Sequence, residues 1–275
     1  MEQQIRLNGI DINCYQREGS RPGGLPLVFL HGITCRWQDF RPLLKELEKD
    51  HPVYALDFRG HGASGRTADQ YDLPDYAKDT SAFLARLDQP PLIIAHSLGG
   101  LVASLVLGLG MARAAGMILF DPPLFAMEHE ISWTRDTFRF WYDTAAAGSG
   151  EEMIRRIRNK MPGLSENFYR ERVEDLQAMD RRVLLPVLKL ENREYSTFPR
   201  REILRKIHCP VLIFHGNVQR GAVLSLQEAV YLGEENPRFR FIYLPDAGHS
   251  FHKSRYRDLL PEMRKFIQEL DQKSS

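Results

Sequence analysis

The sequence predicts an α/β fold: a mostly parallel central sheet with helices on both faces and one inserted helical segment. Three observations predict it. Apolar runs of five to seven residues alternate with longer amphipathic stretches, the pattern of parallel strands joined by helical crossovers. The amphipathic stretches carry apolar residues at i, i+3, i+4 spacing. One interval, 122–208, holds several helix-like stretches and no strand-like run, and it is too long to be a loop between neighbouring strands.

Each element follows from a local signal. IRLNG and IDINCYQ form an opening hairpin across Asn8-Gly9, a dipeptide suited to the left-handed turn positions. Strands are then expected at 26–32, 52–58, 91–97, 116–121, 211–216 and 239–245. Helices are expected over FRPLLKELEKD, LPDYAKDTSAFLARLD and the terminal RYRDLLPEMRKFIQEL. The inserted interval contains SWTRDTFRFWYDTAAAG, GEEMIRRIRNKM and NFYRERVEDLQAMDRRVLLPVLKLEN. The expected organisation is one core domain made of 1–121 and 209–275, with 122–208 as a helical cap, or lid.

Composition narrows the function classes. With 275 residues, 43% apolar and 27% charged, the chain has enough material for one large core plus an insertion. Thirty-seven basic residues against thirty-six acidic ones leave a formal charge of +1, and the basic residues are scattered. That argues against nucleic acid or an anionic membrane as partner. Three cysteines (Cys14, Cys35, Cys209) without a CxxC pair suggest neither a disulfide framework nor a zinc site. The first residues, MEQQIRLNGIDI, hold no signal-peptide run, and nothing in the chain reaches the length of about 18 apolar residues that spans a bilayer. A cytoplasmic protein is expected, monomer or homodimer, acting on a small molecule with no metal and no organic cofactor.

The chemistry begins at PLIIAHSLGGLVASLVLG, where a buried strand turns through Ser97 into a helix rich in small residues. A nucleophile on such a turn adopts a strained backbone, and its neighbours two positions away must be small for strand and helix to approach. Here they are Ala95 and Gly99, so the pattern departs from G-x-S-x-G at its first glycine. FLHGIT at 29–34 ends the first long strand. Its loop is placed to aim the backbone N–H of Ile33 at the site, beside the N–H of Leu98 at the positive end of the helix, as a two-donor oxyanion pocket. LPDAGHSFH at 244–252 follows the last strand and offers His249 as the base.

With FLHGIT, DFRGHGASG at 57–65, AHSLGG and DAGHS in place, the chain resembles the α/β-hydrolase superfamily over nearly its whole length. The resemblance implies the α/β-hydrolase fold and the order Ser, acid, His along the chain. A serine at the nucleophile position separates it from haloalkane dehalogenases and epoxide hydrolases, which place an aspartate there. In the commonest version of the family the acid would stand near Gln219, and glutamine carries no charge to steady an imidazolium. The family's alternative puts the acid after the preceding strand. Here that strand reads GMILFDPPLF, so Asp121 is the expected acid. Asp246 starts the turn before His249 and is expected to cap that turn. Asp57 to Gly62 is read as a structural loop, and His31, His96 and His215 as hydrogen-bonded structural residues. Cys35 is not placed as a nucleophile.

The expected function is therefore serine hydrolysis of a small to medium, largely apolar carboxylic ester or lactone through an acyl-enzyme. Trp37, Phe138 and Trp141 are candidate walls of the substrate pocket, with Trp133, Phe140 and Tyr142 in the same aromatic group. Two other readings stay open: a hormone-receptor-like ligand-binding protein with little turnover, or a lyase or carbon–carbon hydrolase on the same scaffold.

Overall fold

The computed structural model describes residues 1–20, 23–125, 132–189 and 200–274. Eight strands form one sheet: β1 (Glu2–Leu7), β2 (Ile10–Arg17), β3 (Leu27–Leu30), β4 (Val53–Leu56), β5 (Leu92–His96), β6 (Gly116–Phe120), β7 (Val211–His215) and β8 (Phe239–Tyr243), in the order β1-β2-β4-β3-β5-β6-β7-β8. β1 pairs with β2 and β2 with β4 antiparallel, and every other pairing is parallel. The hairpin turns at Asn8 and Gly9, whose φ values of 46° and 82° are both positive, as a two-residue turn between twisted strands requires.

Strand side chains alternate between two cores, the period-two consequence of the pleat. Val28, Leu30, Ile93, Ala95, Met117, Leu119, Val211 and Ile213 face one cluster, which takes in Tyr76, Phe83, Val102 and Val106. These last come from α2 (Leu73–Leu84) and α3 (Leu98–Gly108). Leu27, Phe29, Leu92, Ile94, Ile118, Phe120, Leu212 and Phe214 face the other, with Leu43, Leu44 and Leu47 from α1 (Arg41–Leu47) and Leu259, Met263, Phe266 and Ile267 from α11 (Tyr256–Ser274). Strands buried on both faces read as continuous apolar runs for this reason.

Between β6 and β7 the described residues form α4 (Ser132–Ala145), α5 (Gly150–Lys160), α6 (Glu166–Gln177), α7 (Leu185–Leu188) and α8 (Arg200–Arg205). α4 packs on α5, α6 and α7, and α8 lies against α3. α5 and α6 start where Ser149 and Ser165 accept the backbone N–H groups of Glu152 and Phe168, satisfying donors that a first turn leaves open. The helical stretch read from Asn167 onward breaks in the structure. Asp180 accepts the N–H of Arg182 and donates its own N–H to the Gly60 carbonyl, which ends α6 and ties the insertion to the 57–65 loop. α9 (Leu226–Glu235) and α10 (Phe251–Ser254) complete the chain. α2 stops at Leu84, four residues short of the expected end at Asp88, because the chain must turn through Pro90-Pro91 to enter β5.

Candidate active site

Three strand ends at one edge of the sheet bring Ser97, Asp121 and His249 together. Ser97 follows β5 with φ 51° and ψ −115°, a backbone region that costs of order 1–3 kcal/mol for a residue with a Cβ. The surroundings hold it there. Its N–H donates to the Phe120 carbonyl at 3.2 Å, and the next residues pack so tightly that a Cβ on Gly99 would lie 2.2 Å from the Leu30 carbonyl oxygen. Gly99 is thus the small neighbour that the turn demands, and its N–H donates to the His31 carbonyl at 3.0 Å.

Asp121 leaves β6 with a positive φ of 44° and is fully buried. Its Oδ2 accepts His249 Nδ1–H at 2.6 Å and the Val223 N–H at 2.8 Å, and its Oδ1 accepts the Leu224 N–H at 3.1 Å. An ionised carboxylate only accepts, so His249 Nδ1 carries the proton and Nε2 is bare. Ser97 Oγ lies 2.9 Å from that Nε2. The result is a continuous chain from hydroxyl to imidazole to carboxylate, with Ser97 9% exposed. Chemically, such a chain moves a hydroxyl proton onto an imidazole while the carboxylate stabilises the imidazolium.

Two backbone N–H groups, those of Leu98 and Ile33, are the oxyanion donors expected from the sequence. Leu98 opens α3, so its N–H is one of the amides without an intrahelical partner, at the positive end of the helix. Ile33 sits in the loop after β3. His61 Nε2 approaches the Ile33 carbonyl at 2.5 Å, which restrains this loop.

Neutral imidazoles surround the site. His31 donates Nδ1–H to the Gly32 carbonyl at 2.7 Å and accepts the Phe58 N–H on Nε2 at 3.0 Å, and burial pushes its pKa down to about 4. Burial, then the charge of His31, pushes His61 down to about 4. His96 contacts the His249 carbonyl through Nε2 at 3.1 Å, and its ring centroid lies 4.0 Å from that of His252, the rings tilted by 33°. Burial holds His96 well below the usual imidazole range, and burial pushes His252 down to about 3. Among the described residues no group of three or more His, Cys, Asp or Glu is arranged to hold a metal, and no helix is long and apolar enough to cross a membrane.

A model of the alpha/beta hydrolase family matches residues 27–262. The chain belongs to the alpha/beta hydrolase family. Among curated members it is 31% identical over 100 residues to the 2-(acetamidomethylene)succinate hydrolase of Mesorhizobium japonicum, covering 36% of this chain and 34% of that one. It is 28% identical over 218 residues to the non-heme chloroperoxidase CPO-A1 of Kitasatospora aureofaciens, covering 70% and 74%. The match spans only 49% of the length of a Bacillus subtilis relative, so sequence likeness to curated members is in part local. An esterase structure from Exiguobacterium antarcticum superposes with a TM-score of 0.77 over 98% of this chain and 100% of that one. At 19% identity that likeness speaks for the α/β-hydrolase fold alone.

The fold brings together the residues read as nucleophile, base and acid. The aromatic pocket candidates pack on the two cores. Trp37 stacks on Tyr15 at 4.4 Å beneath Arg41, in the core under α1 and α11. Phe138 and Trp141 pack against the opposite core, and Trp141 covers the guanidinium of Arg172 at 5.3 Å. The side chain of Trp133 lies outside the described residues. An apolar cavity of about 30 Å³ runs along α3 between Leu73, Leu101, Ser104, Leu105, Leu124, Ile203 and Leu204. None of the three aromatic candidates lines it.

Sequence reading missed the amides of Val223 and Leu224. The loop where an acid was sought contributes two donors to Asp121 instead, and backbone N–H groups leave no mark in a side-chain pattern. Gln219 itself is exposed, in a short 3₁₀ turn whose N–H is taken by Asn217. Asp246 is exposed and pairs with Arg220 at 3.6 Å.

Proposed function

We propose that this hydrolase-family member cleaves a small to medium, largely apolar carboxylic ester or lactone through an acyl-enzyme. Ser97 attacks the carbonyl carbon as its proton passes to His249. Asp121 keeps the imidazole in the productive tautomer and stabilises its charged form. The N–H groups of Ile33 and Leu98 receive the oxyanion. The alkoxide or alcohol leaves with the proton from His249, and water activated by the same imidazole then attacks the ester on Ser97 and restores the free hydroxyl. Segment 122–208 serves as a helical cap that sets substrate size. The reading places the protein in the cytoplasm.

The observation that carries this reading is the bond chain Asp121–His249–Ser97, at 2.6 Å and 2.9 Å. The apolar part of the proposed substrate draws on the small cavity along α3, where Leu101 and Ser104 lie one and two turns beyond Ser97. Steady-state turnover of short p-nitrophenyl esters, lactones and amides tests it, with Ser97→Ala as blank. Repeated turnover of esters or lactones, lost in Ser97→Ala, is the expected result. A single slow turnover with ligand-dependent stabilisation would point to a binding protein, and activity confined to amides or carbon–carbon bonds would overturn the ester assignment.

A further inference from the structure

We propose that Arg172, on cap helix α6, is a positioning residue for the oxyanion loop, so that the cap completes the pocket built by Ile33 and Leu98. The inference rests on the reading of Ser97 and Ile33 above. Three consecutive carbonyls of the loop are held from outside their own peptide. Gly32 accepts the Cys35 N–H at 3.1 Å as well as His31 Nδ1–H. Ile33 meets His61 Nε2 at 2.5 Å. Thr34 accepts Arg172 Nη2–H. The first two holders come from the core, whereas the third comes from the inserted helices.

The arginine is itself located by several independent contacts. Its side chain is 13% exposed and lies 3.6 Å from Asp175, one turn further along α6. Trp141 of α4 covers its guanidinium at 5.3 Å. From the loop side, Arg36 reaches back to the same helix and binds Glu174 at 2.5 Å and Asp175 at 2.8 Å. The far end of the loop is fixed by the Trp37 N–H on Asp57 at 2.8 Å and by Lys253 on Asp39 at 2.9 Å. Loop and helix are therefore crossed by reciprocal charged contacts, one guanidinium running each way.

The consequence for chemistry is geometric. The Thr34 carbonyl lies two peptide units beyond the one that carries the Ile33 N–H, and releasing it loosens the loop segment on which the aim of that N–H depends. Removing an oxyanion donor outright costs roughly 10² to 10³ in kcat. A donor that is present but poorly aimed should cost less, about 10-fold to 100-fold. Ground-state binding does not use that donor, so KM should move by less than about threefold.

The test compares the full-length wild type with Arg172→Gln and Arg172→Lys on p-nitrophenyl butyrate, reading kcat and KM separately. Inhibition by butylboronic acid is measured in parallel, since its tetrahedral adduct on a serine uses the same donors. Expected are a kcat loss of 10-fold to 100-fold in Arg172→Gln, an equal weakening of boronate inhibition, near-constant KM, and partial recovery in Arg172→Lys. Lysine keeps a positive charge beside Asp175 and one N–H donor in reach, so it reads out the position if the glutamine variant does not fold. A rise in KM with kcat intact would make Arg172 a substrate contact and overturn the proposal, as would unchanged kcat and KM in Arg172→Gln or, where that variant does not fold, unchanged kcat and boronate inhibition in Arg172→Lys. Ser97→Ala runs alongside: if it keeps turnover, the nucleophile assignment falls and this inference with it. If only the Arg172 variants behave as wild type, the nucleophile assignment stands and this inference alone is lost.

Discussion

Replacing Asp121 by asparagine exchanges one oxygen for an N–H₂ group and leaves the volume almost unchanged. The wild-type carboxylate accepts three N–H donors, two on Oδ2 (His249 and Val223) and one on Oδ1 (Leu224). An amide offers only one accepting oxygen. If that oxygen faces Leu224, the N–H₂ group meets the Val223 N–H and forces His249 to shed its Nδ1 proton, so Nε2 becomes a donor and no longer takes the Ser97 proton. If the oxygen faces His249 and Val223, the N–H₂ group meets the Leu224 N–H, and the imidazolium has lost its counter-charge. Either orientation leaves one buried donor facing another, at about 1–3 kcal/mol of stability. Either also removes the stabilisation that in serine proteases of the same logic is worth about 10⁴ in kcat, or roughly 5 kcal/mol at 1.36 kcal/mol per tenfold change. The assay pairs kcat on p-nitrophenyl butyrate with urea unfolding. A rate loss of about 10³ to 10⁴ with a modest loss of stability is expected. A variant that keeps kcat within about tenfold of wild type, on an ester that Ser97→Ala does not turn over, would refute the role given to Asp121.

Adding Gln219→Asp to Asp121→Asn should restore nothing, with kcat within about twofold of the single variant, because residue 219 is exposed and its turn is pinned by Asn217; a rescue above tenfold would show that its loop reaches His249. Gly99→Ala should destabilise the fold by about 3 kcal/mol or more, read from a shifted urea midpoint, since the new Cβ would press to 2.2 Å on the Leu30 carbonyl and neither backbone has room to yield. Stability should fall with acid between pH 6.5 and 4. His31 and His61 have folded pKa values of about 4 and His252 of about 3. The unfolded chain therefore binds protons first as pH drops below about 6.5, at roughly 1.4 kcal/mol per pH unit for each histidine. Urea unfolding at pH 7 and pH 5 checks this, and equal stability at the two values would contradict the neutral-imidazole assignment.

The sheet was legible in the sequence because parallel strands buried on both faces read as unbroken apolar runs. Ser97 and His249 were legible because a strand-to-helix turn and a post-strand loop carry distinct small-residue and Gly-His signals. Asp121 emerged from the resemblance together with the absence of an acid near Gln219. What supports these residues left no side-chain pattern. The Val223 and Leu224 amides are backbone groups, and Arg172 reaches Thr34 across 138 residues of chain, a separation that spacing arguments do not see. Trp37 looked like a pocket wall from its place near the oxyanion loop. In the structure it opens the 3₁₀ turn Trp37–Phe40 and stacks on Tyr15.

The nucleophile is the claim on which the others depend, and covalent labelling measures it most directly. The full chain is incubated with a fluorophosphonate, its intact mass is read, and the modified peptide is sequenced by tandem mass spectrometry. One adduct per chain is predicted, on Ser97, absent in Ser97→Ala and formed far more slowly in Asp121→Asn. An adduct on any other residue, or labelling of Ser97→Ala at the wild-type rate, would contradict the account.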